Sequence, residues 1–220
     1  MAISKFNYNS FNVTPVAGNA LSFNSDADGF TTQGATSMVL IKTLTASSSA
    51  TLSFVDGADS VVLDDTYPVY MFKFINIHPA TNTAKLTFQG DTGTNTSYNQ
   101  TITSTFFTSQ HKEDGSGGAL GYESSHDQAQ GSAFQDLTNG IGNGNDENMG
   151  GELTIFSPSS DTFVKHFIST VQSNYNVEWS MNSYMAGYFN LTTPLTRFQF
   201  KMSSGNIDSG VIKLYGIKDS

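Results

Sequence analysis

Arg197-Phe198-Gln199-Phe200-Lys201-Met202, then the polar run Ser203 to Gly210, then Val211-Ile212-Lys213-Leu214-Tyr215-Gly216-Ile217-Lys218, is the stretch whose reading decides the fold. Phe198, Phe200 and Met202 alternate with Arg197, Gln199 and Lys201. A period of two sends one set of side chains to a core and the other to water, so each run is a strand with one buried face. The glycine-bearing segment between them reads as the turn of a sheet hairpin.

The same pattern recurs upstream. Ser37–Leu44, Ala50–Val55, Val69–Ile77, Ala84–Gln89, Tyr98–Phe107, Glu152–Phe156, Thr162–Val171 and Tyr184–Asn190 all read as strands. Val69–Ile77, bracketed by Pro68 and Pro79, is apolar at both parities and is expected at the centre of a sheet covered on two sides. Gly187 is expected to mark a bulge or a close backbone approach. About ten strands with turn signals between them, and no helical stretch, predict an all-β, antiparallel β-sandwich. A jelly roll is the first expectation for its topology and another Greek-key sandwich the second.

The 220 residues suit one large β domain, residues 36–220, preceded by an N-terminal arm, residues 1–35, rich in Asn, Ser, Thr and Gly and expected to be extended or loosely paired. Aromatic residues make up 12 %, enough large rings to build a core although hydrophobic residues are only 37 %. Residues 108–150 break the pattern and are expected to be long loops with one helical turn at Ser124–Gln130, positioned by the scaffold for recognition.

A net charge of −9 without a Lys/Arg cluster argues against nucleic acid or an anionic membrane as partner. No apolar run approaches the ~20 residues of a membrane helix, and the first residues lack a secretory-signal pattern. With no cysteine there is neither a disulfide nor a thiolate nucleophile. Hydrolase and phosphate-loop signatures are missing, so no catalytic residue is assigned and a non-enzymatic protein is expected. No cofactor is expected either. Asn24-Ser25-Asp26-Ala27-Asp28-Gly29 resembles half of a calcium loop, but Ala35 stands where the closing Glu belongs, which leaves calcium binding at Asp26 and Asp28 open. Trp179, Tyr175 and Tyr184 lie in a polar stretch; with Tyr122 and His126 they form a candidate surface for a glycan or protein. The alternative for Trp179 is a plug at one end of the sandwich.

The strings Tyr70-Met71-Phe72-Lys73-Phe74-Ile75-Asn76-Ile77-His78-Pro79, Asp127-Gln128-Ala129-Gln130-Gly131, Phe156-Ser157-Pro158-Ser159-Ser160, Val164-Lys165-His166-Phe167 and Phe200 to Gly216 resemble virion structural proteins of tailed bacteriophages, especially those infecting marine bacteria and cyanobacteria. The resemblance covers residues 36–218 and is most specific in the closing Gly-x-Ile-Lys-Leu-Tyr-Gly-Ile. It implies a particle component assembled in the host cytoplasm, a tail fibre or tail-associated knob, with a head decoration protein as alternative. The arm at 1–35 is not part of it, but a loosely ordered arm suits docking to other virion proteins; the resemblance implies a homo-oligomer, with a trimer as the first expectation, and contact with the host surface. A glycan-binding or glycan-degrading module is the remaining alternative.

Overall fold

In the computed structural model the described residues are 20–23, 30–33, 37–176 and 178–218. They form β1 (Ala20–Phe23), β2 (Phe30–Gln33), β3 (Met38–Ser49), β4 (Leu52–Val55), β5 (Val69–Pro79), β6 (Leu86–Thr92) and β7 (Ile102–Lys112). β8 (Gly118–Tyr122), β9 (Gln135–Asp136), β10 (Met149–Phe156), β11 (Lys165–Tyr175), β12 (Trp179–Phe189), β13 (Leu195–Met202) and β14 (Ile207–Ile217) follow. Among the described residues there is no helix.

The strands make an eight-stranded sheet, β3-β14-β5-β10-β11-β12-β7-β8, and a four-stranded sheet, β4-β13-β6-β9. β1 and β2, from the arm, pair only as a two-stranded ribbon. Every pairing is antiparallel. The two large sheets face each other across an aromatic core, so the expected antiparallel β-sandwich is the architecture. Its partition differs from a simple eight-stranded jelly roll, since one sheet alone holds eight strands.

Alternation builds that core. From the larger sheet Phe72 and Phe74 on β5, Phe167 on β11 and Phe189 on β12 point inward; from the smaller come Phe54, Phe88, Phe198 and Phe200. They meet edge to face: Phe72–Phe200 at 5.0 Å between ring centroids, Phe54–Phe72 at 5.2 Å and Phe88–Phe167 at 5.2 Å. Each such pair adds about 0.5–1.5 kcal/mol beyond the burial of its area. The expected close approach at Gly187 is present. A side chain there would come within 2.8 Å of the Phe167 ring, and the register of β12 against β11 and β7 runs through it without a bulge.

The closing stretch holds the main correction. β13 and β14 are strands, but they do not pair as a hairpin. β13 lies between β4 and β6 in the smaller sheet, and β14 between β3 and β5 in the larger. The segment Ser203–Asn206 is therefore an arch from one sheet to the other. Gly205 turns it with φ +70°, and the Asn206 side-chain amide donates to the Ser48 carbonyl at 2.9 Å. Hairpin and arch share the alternating pattern, because in both each strand buries one face.

Three further expectations change. β5 is central in its sheet, but only its inner face is buried; on the other, Ile75 is 41 % exposed. Residues 108–150 are only partly loop: β7 runs to Lys112, and β8 and the two-residue β9 are strands, while 123–134 and 137–148 are the expected loops, with Leu137 and Ile141 turned fully into the core. Ser124–His126 is a hydrogen-bonded turn closed by the His126 amide on the Glu123 carbonyl.

Candidate functional site

The residues proposed for recognition separate into three places. Tyr184 and Tyr122 stand on the outer face of the eight-stranded sheet, flanking Phe107, which pairs with both across β12 and β8. The Phe107 and Tyr184 rings stack at 4.8 Å and 12°. A ring that spends a face on its neighbour presents its edge outward, whereas a sugar needs an open face. The Tyr122 hydroxyl donates to Asp127, and that bond holds its pKa above the ordinary phenol value.

Tyr175 and Trp179 pair with each other across β11 and β12 at the end of the sheet, on the inward parity shared with buried Met181. Trp179 is half-buried, and its ring lies so close to Gly117 that a side chain there would approach it to 2.8 Å. It sits as the plug at the sandwich end, the second of the two readings its sequence context offers, and not as an open recognition ring. Tyr175 likewise covers Gly140.

His126 is buried, which corrects its placement on the surface. Its ring stacks on Phe106 at 5.0 Å, and Nδ1 lies 2.8 Å from Asp136 Oδ2, which also accepts from the Lys85 ammonium at 2.8 Å. Gln135 donates to the His126 carbonyl and accepts from the Ser104 hydroxyl at 2.6 Å. These bonds hold the segment after β8 against the sandwich; buried polar groups need such partners.

The smaller sheet's outer face is polar and covered by its own chain. Asp91 is fully buried and accepts from the Thr92 and Tyr98 amides and from the Asn95 and Gln100 side chains, all between 2.7 and 2.9 Å. Gln89 donates to the carbonyls of Gln100 and Ala133. Lys165, at the start of β11, is an equally buried cation. Its ammonium donates to the carbonyls of Ser160, Phe163, Leu191 and Thr192 at 2.5–3.3 Å, and burial lowers its pKa from the ordinary lysine value.

The larger sheet's outer face is different. Among the described residues, most of the exposed large apolar side chains point from it. They run from Leu40 on β3 through Ile75, Ile168 and Tyr184 to Phe107 and Tyr122. Beside Ile168 lies an open, mainly apolar groove of about 420 Å³, walled by Thr103, Thr105, His166, Ala186 and Tyr188. It can seat an apolar group. A polar pocket of about 360 Å³ lies at the sheet end between His78, Asn76, Glu147 and Asp208. There His78 Nε2 meets the Gly144 carbonyl at 3.1 Å and Nδ1 faces Asp208 at 3.6 Å, so both ring nitrogens are engaged.

Among the described residues no group of three or more His, Asp or Glu side chains is placed to hold a metal ion. Asp26 and Asp28 lie outside the described residues. Among the described residues no helix is long and apolar enough to cross a membrane. The outer face was missed from the sequence because its apolar residues read as a second buried side. The signal was present in runs such as Tyr70–Ile77 and Phe163–Val171, which are apolar at both parities. Comparison with protein families, with curated proteins and with solved structures finds no match.

Proposed function

We propose that this chain is a non-enzymatic structural protein of a tailed-phage virion, a surface appendage that assembles on the particle. The observation that carries the reading is the broad apolar outer face on a rigid sandwich, since exposed apolar patches of this extent mark surfaces that another protein covers. The resemblance of residues 36–218 to virion structural proteins supplies the biological setting. The engagement of His78 and His126 with backbone and carboxylate partners supports a non-enzymatic role, because neither ring pairs with a hydroxyl nucleophile. In this reading the N-terminal arm docks to other virion proteins, and contact with the host surface falls to the loops near 108–150 and 174–184.

Antibody raised against the recombinant chain and applied to purified particles tests the proposal by electron microscopy. Label at the tail is the expected result. Label spread over the head would replace the appendage with a decoration protein, and unlabelled particles would end the virion reading altogether.

A further inference from the structure

We propose that the outer face of the eight-stranded sheet packs against the same face of a second copy of this chain, with Ile168 beside a twofold axis. The inference stands on the sheet's geometry and charge and does not depend on the virion reading.

Position comes first. β10 and β11 are the two middle strands of the eight, and Ile168 on β11 pairs with Thr154 on β10. Ile168 is 53 % exposed on a middle strand, in a row that lies three residues in from the Lys165 end of β11. The groove beside it is floored by small side chains, Ala186 and the two threonines Thr103 and Thr105. A knob next to a hole on one face is the arrangement a self-complementary contact needs, because a twofold axis places each copy's knob against the other's hole.

Area comes second. Eight strands set roughly 4.8 Å apart, each about ten residues long, present a face of roughly 1,000 Å². A stable interface buries about 800 Å² per partner. The face is large enough to hold two copies together, and two twisted sheets stack face to face in an aligned packing.

Charge selects the occupant. The whole chain carries −9, so two copies repel over most of their surfaces. From Val211 on β14 across to β8, the outward positions of the sheet hold Lys213 and the ion-paired Lys73 and Glu152, and the Asp127 carboxylate lies against Tyr122 at the β8 edge, so these charges balance. Asp208 lies beyond them at the sheet end, beside His78. Two acidic copies therefore approach through this face without the repulsion their overall charge would impose. A threefold arrangement would instead bring this face against a different surface of the neighbour, and the knob and its adjoining hole would go unmatched.

The absence of cysteine makes a direct test possible. Ile168→Cys gives a protein with a single thiol, and so does Phe163→Cys, placed at a more exposed apolar residue in the loop before β11 and off the face. Both are treated with a short bismaleimide at micromolar concentration, with circular dichroism confirming the strand signature of each. Pre-associated thiols react at a high effective concentration, so Ile168→Cys is expected to yield at least about tenfold more covalent dimer than Phe163→Cys. Equal yields from the two, or no dimer from Ile168→Cys, would overturn the proposal. Either failure would leave the labelling of particles unaffected.

Discussion

The two outer faces of the sandwich are finished in opposite ways. On the smaller sheet Gln89 and Asp91 point outward and are buried, served by the segments around Tyr98 and Ala133. On the larger sheet Ile75 and Ile168 point outward and are exposed. One face is polar and closed by hydrogen bonds from its own loops. The other is apolar and open, with a neutral character in an acidic protein. A polar face must have its partners built in, since an unpaired buried group costs about 1–3 kcal/mol. An apolar face has no such demand and can take its cover from another molecule.

The contrast predicts where substitutions matter. The largest effect belongs to the aromatic core between the faces. Phe200 touches the rings of Phe54, Phe72, Phe74 and Phe88. Phe200→Ala should cost about 3–5 kcal/mol in urea unfolding, the range for a large buried ring. Next comes the closed face. Asp91→Ala leaves four donors without their carboxylate and should cost about 3 kcal/mol, with the Tyr98 amide losing protection from hydrogen exchange. A loss below about 0.5 kcal/mol would place Asp91 among ordinary surface residues and dissolve the contrast.

Smaller effects follow from titration. Lys165 has a folded pKa below the unfolded 10.5, so the unfolded chain binds more protons between those values. Its burial therefore costs stability at neutral pH, and that cost is relieved as pH rises through the lowered pKa toward 10.5. Urea midpoints should rise with pH over that window relative to Lys165→Met. A flat difference would contradict the reading. Smallest is Asp114 in the exposed turn after β7, whose carboxyl is held at about 2 by the Ser116 hydroxyl and amide and by Lys112. Its bonds are present above the unfolded 3.8 and are lost as pH falls through about 2. Carbon NMR of Ser116→Ala should show that carboxyl moving back toward 3.8, with unfolding midpoints unchanged.

Strand identity was legible because alternation survives translation into structure: Phe198, Phe200, Ile212 and Leu214 are all buried as their parity demands. Pairing was not legible. An arch and a hairpin bury the same residues, and only long-range bonds such as Ser203 to Lys85 and Asn206 to Ser48 separate them. β12 extended back to Trp179 because Ser180 and Asn182 pair in register with β7 and β11, although serine and asparagine carry weak strand preference. Of the candidate site, Tyr184 and Tyr122 were found on an exposed face, while His126 and Trp179 were drawn inward by Asp136 and by the glycine-lined sheet end. Ile168 escaped notice because an isoleucine in an apolar run looks the same whether its own chain or another molecule covers it.

Sedimentation equilibrium on the full chain tests the open face most directly, over micromolar concentrations and alongside Ile168→Glu. The account predicts a mass of twice 23.7 kDa for the native chain and 23.7 kDa for the folded variant. A native chain that stays at 23.7 kDa throughout, one that sediments as a trimer, or a variant with undiminished mass would contradict it.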